Sequence, residues 1–240
     1  MNLLNTLQEE KESRLKGGLY HQTQIQLAYN TNRIEGSKLS EEQTRYIYET
    51  NTFFLEDGEK TANIDDIIET INHFSCFDYM LDIALEPLSE EQIKRFHFIL
   101  KNNTSDSKRA WFNVGDYKLK PNVVGGAETS LPSDVPTDIN NLLEKYNRQR
   151  DIAINDIIDF HYQFEKIHPF QDGNGRVGRL IMFKECLAHH IVPFIIEDEH
   201  KFFYYRGLNE YYKVKEFLID TCLSAQDSYK RMIDYFMRKL

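Results

Sequence analysis

An all-α helical bundle is the fold class this sequence predicts, and three observations predict it. Apolar residues recur at three- and four-residue spacing through most of the 240 positions, the period of a helix with one face in a core. The tetrapeptide Ser-Glu-Glu-Gln occurs twice, at 40–43 and 89–92, and fits the capping box, in which the cap and third helical residue satisfy each other's backbone donors. Only one stretch, Trp111 to Pro132, breaks the helical period.

Taken in order, Leu19 to Ile34 reads as a helix entered after Gly17-Gly18 and closed by Gly36, which stands where a C-terminal cap belongs. The capping boxes open helices of about a dozen residues after Ser40 and Ser89. Between them, Ile64 to Leu85 has the spacing of a core-facing helix. Helices follow over 137–150 and 155–167, and the second delivers the chain to His168. Another starts near Arg176 and runs through Leu180, Met182, Phe183 and Leu187, and helices over 202–212 and 215–239 close the chain. In the exceptional stretch, Gly125-Gly126 stands between Val123-Val124 and Ala127. A hairpin and an irregular loop fit those residues equally. The organisation expected is an N-terminal helical region over 1–59, a core over 60–225 with an excursion at 111–132, and a helical extension over 226–240.

Composition narrows the function. Hydrophobic residues make up 41%, enough for a sizeable core, and the formal net charge is −9. Such an acidic chain is poorly suited to nucleic acid or an anionic membrane, because phosphate contacts need a basic face. Cys76, Cys186 and Cys222 lie far apart in apolar stretches. An odd count without short spacings speaks against a disulfide framework or a zinc site, and for buried thiols in a reducing compartment. The opening MNLLNTLQEEKESR lacks the apolar run of a secretory signal, and no run approaches the ~20 apolar residues of a membrane span. The expectation is a cytoplasmic protein with neither nucleic-acid nor membrane partners.

Residues 168–179 read His-Pro-Phe-Gln-Asp-Gly-Asn-Gly-Arg-Val-Gly-Arg. His168 can take a proton near neutral pH, and the Asp172 carboxylate can hold a hard cation such as Mg²⁺. Gly173 and Gly175 let successive amides turn into one anion-binding concavity. Arg176 and Arg179 add permanently charged forks suited to phosphate oxygens. Singly, each has an ordinary reading as a turn dipeptide, a loop histidine or a solvated helix face. Together, at fixed offsets between apolar helices, they assemble a base, a metal ligand, a phosphate cradle and a charge clamp, which is equipment for nucleotide chemistry.

The stretch resembles the signature of the Fic family, His-x-Phe-x-(Asp/Glu)-Gly-Asn-Gly-Arg-x-x-Arg, and His168, Phe170, Asp172, Gly173, Asn174, Gly175, Arg176 and Arg179 match all eight of its fixed positions. The resemblance implies a Fic-type helical bundle with a β-hairpin flap over the active site, and transfer of AMP from ATP, with Mg²⁺, to a protein hydroxyl. It implies His168 as base, Asp172 as metal ligand, and Asp172, Gly173, Asn174, Gly175, Arg176, Val177, Gly178 and Arg179 as the nucleotide loop, with the Asn174 amide on a phosphate oxygen. Phe170 is expected to pack inward without chemistry. Flap residues Val124, Gly125, Gly126 and Ala127 would border the nucleotide, and Tyr204 and Tyr205 would line the nucleoside pocket. Some relatives place an asparagine a turn or two after that pair; here Asn209 comes early. Thr31, Glu35 and Gly36 fit the family's inhibitory motif (Ser/Thr)-x-x-x-Glu-(Gly/Asn), which implies that Glu35 competes with a terminal phosphate for Arg179. The other reading of Glu35 is a solvated surface glutamate.

These residues point to an autoinhibited protein adenylyltransferase acting on a Ser, Thr or Tyr hydroxyl of another protein or of itself. Competing readings are transfer of another nucleotide or phosphate-containing group, removal of AMP, and a non-catalytic nucleotide sensor. Target, nucleobase preference and homo-oligomeric state are left open by the residues alone.

Overall fold

Both Ser-Glu-Glu-Gln segments form capping boxes in the computed structural model of the chain, which describes residues 2–58 and 60–237. Ser40 Oγ accepts from the Gln43 amide at 3.0 Å, and Gln43 Oε1 accepts from the Ser40 amide at 3.0 Å. The same pair of bonds joins Ser89 and Gln92. Each box satisfies two donors that an open helix start would leave unpaired.

The helices are α1 (Leu3–Ser13), α2 (Leu19–Ile34), α3 (Glu41–Thr50), α4 (Ile64–Asp82), α5 (Glu90–Lys101), α6 (Val135–Asn147), α7 (Ile154–Ile167), α8 (Asn174–Ala188), α9 (Lys201–Glu210) and α10 (Glu216–Met237). Short 3₁₀ turns occupy Asp106–Lys108 and Asp198–His200. None of the described helices is long and apolar enough to cross a membrane.

Helix α8 is the centre of the bundle. From Asn174 to Leu187 nearly every side chain is buried, as expected of a helix packed on all sides. Its neighbours are α7, α5, α4 and α2. The main core runs through Phe77, Met80, Phe96, Phe164, Phe170, Leu180 and Phe183. Leu4 and Leu7 of α1 and Leu19 and Leu27 of α2 belong to the same cluster, so residues expected to stand apart over 1–59 share the core. Helix α10 crosses position 226 without a break, and its Tyr229 is buried in that core too. Residues 1, 59 and 238–240 of the expected terminal regions lie outside the described residues. Cys76, Cys186 and Cys222 are free, buried thiols.

Helix α2 has the expected limits, and both of its ends are built with care. The Glu10 carboxylate of α1 accepts from the Tyr20 amide at 2.7 Å, which places a negative charge at the positive end of α2. Gly18 lets the carboxylate come this close, since a Cβ there would lie 2.5 Å from it and push it aside. At the other end Gly36 adopts φ +100, and the Ser37 amide reaches back to the Asn32 carbonyl at 3.0 Å, a Schellman closure.

The excursion over 111–132 is irregular except for a hairpin of β1 (Val123–Val124) and β2 (Ala127–Glu128), antiparallel, with Val124 opposite Ala127. Gly125 and Gly126 both take positive φ, +56 and +81, the requirement of a two-residue turn that follows the twist of its strands. Helix α1, which the periodicity reading passed over, is short and polar on most of its surface; its few leucines bury one narrow stripe.

Candidate active site

Helix α7 stops at His168, whose backbone is left-handed (φ 51, ψ 63) and whose N–H still donates to the Phe164 carbonyl at 2.9 Å. Pro169 enforces the break, because the residue before a proline is pushed out of the right-handed helical region. The loop beyond is pinned from inside. Phe170 is fully buried and stacks on His97, with ring centroids 4.0 Å apart and planes within 4°. Asn174 closes the turn: Oδ1 accepts from the Phe170 amide at 2.8 Å, and Nδ2 donates to the Phe170 carbonyl at 2.9 Å.

Gly173 caps α8 with φ +82 and offers no side-chain acceptor to it. The first amides of α8 therefore stay open at the positive end of a helix dipole, a ready anion site. Gly175, in that first turn, has no room for a side chain, since a Cβ would lie 2.3 Å from Glu35 Oε1.

Two ion clusters hold the signature arginines. In the first, Arg176 pairs with Glu69 of α4 and, at 3.3 Å, with Asp172, while Lys101 of α5 reaches Glu69 at 2.5 Å and Asp172 at 2.6 Å. Burial works against ionising Asp172, but Arg176 and Lys101 outweigh it and hold the carboxyl well below the usual range. In the second, Arg179 donates from Nη2 to Glu35 Oε1 at 2.6 Å and to the Thr31 carbonyl at 3.1 Å. Its Nε donates to Thr31 Oγ1 at 2.5 Å and its Nη1 to the Tyr204 hydroxyl at 3.4 Å. All three guanidinium nitrogens are thus engaged by α2 and α9.

The hairpin is tied to the loop through Lys118. Its amide donates to the Pro169 carbonyl at 2.9 Å, and its Nζ donates to Asn122 Oδ1 at 2.8 Å, Thr129 Oγ1 at 2.7 Å and the Ile167 carbonyl at 3.3 Å. Burial lowers the Lys118 ammonium to about 8. His168 is pushed down to about 4, first by burial and then by the Lys118 charge, so its imidazole is neutral at pH 7. Its Nδ1 is buried with no hydrogen bond, and the ring keeps 15% exposure. Glu165, three residues before His168, borders a cleft of about 320 Å³ together with Val124, Glu128, Tyr205, Asn209 and Tyr212.

The other expected residues have the following places. The Asn174 amide bonds to Phe170 and braces the loop. Val177 is fully buried in the core, and Gly178 is closed against His161 and Glu165, because α8 turns those positions inward. Tyr204 is buried, with its hydroxyl 2.6 Å from His161 Nε2 as well as on Arg179, so it orients the arginine. Tyr205 does border the cleft, and its hydroxyl donates to the Ile34 carbonyl at 2.9 Å. Gly125 comes close to Asn209, whose Oδ1 would lie 3.2 Å from a Cβ there. Glu69, Lys101, Lys118 and Glu165 were not singled out from the sequence.

For a divalent cation the donor is Asp172 alone; among the described residues no three His, Cys, Asp or Glu side chains gather as a metal site. One ionised, partly exposed carboxylate suits Mg²⁺, which keeps several waters and takes further oxygens from phosphates. Both cationic partners of Asp172 bear on Oδ2, which leaves Oδ1 outside the ion cluster. The residues fit the ion.

Comparison with known proteins agrees with this geometry. Residues 87–186 match the profile of the Fic/DOC family. The chain is 29% identical over 190 residues to a protein adenylyltransferase Fic of Aedes aegypti, covering 75% of this chain and 36% of that protein. It is 28% identical over 190 residues to the protein of the same name in Culex quinquefasciatus, covering 75% and 35%. The chain thus spans about a third of the length of these curated relatives. A Fic domain containing signaling protein from Bacteroides thetaiotaomicron shares the fold with a TM-score of 0.74 at 21% identity, covering 96% of this chain and 94% of that one.

Proposed function

We propose, from the match of residues 87–186 to the Fic/DOC family profile, that the chain is an autoinhibited protein adenylyltransferase that moves AMP from ATP to a Ser, Thr or Tyr hydroxyl. One observation carries the reading. The Glu35 carboxylate lies against the open start of α8, over Gly175 and on Arg179, where the terminal phosphate of a triphosphate would sit. The site accepts an anion there and is at present filled by one of its own.

Each residue then has a task set by its place. The open amides of α8 receive phosphate oxygens, Arg176 bears on the inner phosphates, and Arg179 takes the outermost one once Glu35 leaves. His168 offers Nε2 to the target hydroxyl. The hydroxyl oxygen bonds to the α-phosphorus as the bond to the departing pyrophosphate breaks, and the hydroxyl proton passes to Nε2. A positioned base of this kind contributes on the order of 10²–10⁴ in rate. Mg²⁺ on Asp172 would offset charge on the leaving pyrophosphate. The Val124–Ala127 turn and Tyr205 border the nucleoside, and the hairpin edge receives the target backbone by strand addition. The target is another protein or a second copy of this one.

Glu35 keeps the resting enzyme slow. A hundredfold loss of productive binding needs only about 2.7 kcal/mol, within reach of a charge-assisted pair on a buried arginine. Incubation with α-labelled ATP and Mg²⁺ tests the reading: Glu35→Gly raises label transfer to protein on the order of a hundredfold, and His168→Ala abolishes it in either background. Equal labelling by wild type and Glu35→Gly rejects autoinhibition. ATP binding without any transfer in Glu35→Gly selects the sensor reading.

A further inference from the structure

An imidazole held near 4 by burial and by Lys118 is a poor partner for a hydroxyl proton, and a carboxyl able to strengthen it lies one helical turn upstream. Glu165 is on α7 with its side chain 13% exposed. Its Oε2 is 3.8 Å from Nδ1 of His168. Both Nδ1 and Glu165 Oε1 are buried without a hydrogen bond. The main-chain carbonyl of Glu165 also lies within reach of the ring. The carboxyl is pressed onto α8, since a Cβ at Gly178 would come 3.1 Å from Oε1. Nδ1 is thus left without a bond in a dry place, with Glu165 Oε2 as the nearby carboxylate oxygen, an arrangement that costs free energy unless another state uses it.

We propose that Glu165 is the positioning residue of His168, a carboxyl that couples the seating of Glu35 to the basicity of the imidazole. The inference rests on the reading of His168 as the base. Charged and titratable groups face this pair from every side: Glu35 from α2, Arg179 from α8, Tyr204 and Tyr205 from α9, Lys118 from the hairpin base, Asp172 from the loop, and His161 and Lys166 from α7 itself. Burial pushes the Glu165 carboxyl up to about 8; Glu35 adds to the rise and Arg179 opposes it. While Glu35 is seated, Glu165 therefore keeps its proton at pH 7 and gives Nδ1 no charge to lean on.

In the nucleotide-free chain, withdrawal of Glu35 removes one negative charge from that pocket and uncovers the positive field of Arg179. Both changes favour loss of the Glu165 proton, which leaves through the cleft that Glu165 borders. An ionised Oε2 then holds Nδ1–H and stabilises the imidazolium formed when Nε2 takes the hydroxyl proton. This is the service an aspartate renders the histidine of a hydrolytic triad. Glu35 thereby closes the enzyme twice, by occupying Arg179 and by keeping the base weak.

The sign of one shift decides the matter. Glu35 also acts directly on His168, and its negative charge raises the imidazole. Direct action alone predicts that Glu35→Gly lowers the His168 pKa. Coupling through Glu165 predicts a rise of about one unit or more, the effect of a carboxylate a few ångströms from an imidazole. The measurement is an NMR titration of ¹⁵N-histidine-labelled full chain without nucleotide, with His168 assigned from the His168→Gln spectrum. The expected result is a rise in Glu35→Gly that disappears in Glu35→Gly/Glu165→Gln. A fall or no change in Glu35→Gly, or an undiminished rise in the double variant, overturns the proposal. Should Glu165→Gln fail to fold, the sign in Glu35→Gly alone still decides. The titration needs no target and no transfer, so its outcome is independent of whether AMP is moved. In transfer assays of folded double variant, kcat falls and its acid limb moves while KM for ATP holds.

Discussion

Arg176 and Arg179 stand one turn apart on the same helix, both buried and both paired with a glutamate, yet the two pairs are built differently. Glu69 sits inside the first turns of α4, and its pair with Arg176 is one edge of an ion cluster that includes Lys101, Asp172 and Asp106. Glu35 is the C-cap just past the end of α2, more exposed than Glu69, followed at once by Gly36. Arg179 also keeps Thr31 and Tyr204 as partners. The first pair belongs to the scaffold, and the second can be given up. A catalytic loop of this kind needs one fixed cation to hold its shape and one that a ligand can claim.

The widest gap between the two should appear in stability. Glu69→Ala leaves Arg176 and Lys101 buried and under-compensated, and we expect a loss of about 3–5 kcal/mol, seen as a large fall in the thermal midpoint by circular dichroism. An unchanged midpoint would erase the distinction between the pairs. Acid should come next. His73, His97 and His161 are lowered to about 3 and His168 to about 4, chiefly by burial. A histidine whose folded value is depressed takes up protons on unfolding, so stability is complete above about 6.5 and falls as pH drops toward 4. Glu165, raised to about 8, has the opposite sign: its contribution is full below about 4.5 and is lost as pH rises through 8. Four histidines outweigh one glutamate, so midpoints measured from pH 7 down to 5 should decline, and a flat profile would contradict the burial of these rings.

A smaller effect is expected on the removable side. Glu35→Ala should cost about 2.7 kcal/mol or less, the worth of a hundredfold brake, because Arg179 retains its other acceptors and the glutamate is nearer the surface. A loss as large as that of Glu69→Ala would put Glu35 in the scaffold. Smallest of all, Gly175→Ala introduces a methyl where Glu35 Oε1 would be 2.3 Å away. It should loosen the carboxylate while also narrowing the anion cradle, so ATP affinity measured calorimetrically falls in the Glu35→Gly background but changes little in wild type.

The sequence was readable where neighbours in the chain determine the structure. The capping boxes at Ser40 and Ser89, the limits of α2, the Gly125-Gly126 turn and the loop from His168 to Gly173 are all local, and each follows from residues within four or five positions. What stayed hidden was carried by pairs distant in sequence. Lys101 meets Asp172 across 71 positions and Arg176 meets Glu69 across 107, and on a helical wheel such charges look like a solvated face. Asn174 and Tyr204 hid part of their work in the same way: the fold engages them with the loop backbone and with Arg179. Glu165 was the nearest miss, since a carboxylate one turn before a histidine at a helix end is visible in sequence once their shared burial is suspected.

The Glu10 carboxylate at the head of α2 has a consequence for how the brake lifts. Sliding the whole rod along its axis by even one turn, ~5.4 Å, would tear the Tyr20 amide from a buried anion and leave that anion stranded. Such a stranded charge costs several kcal/mol, more than the Glu35 contact itself returns. The cheaper route is to unravel only the terminal turn past Thr31, where Gly36 already bends the chain away. Activation on this account is a local fraying event, quick and reversible, with the rest of the helix standing still.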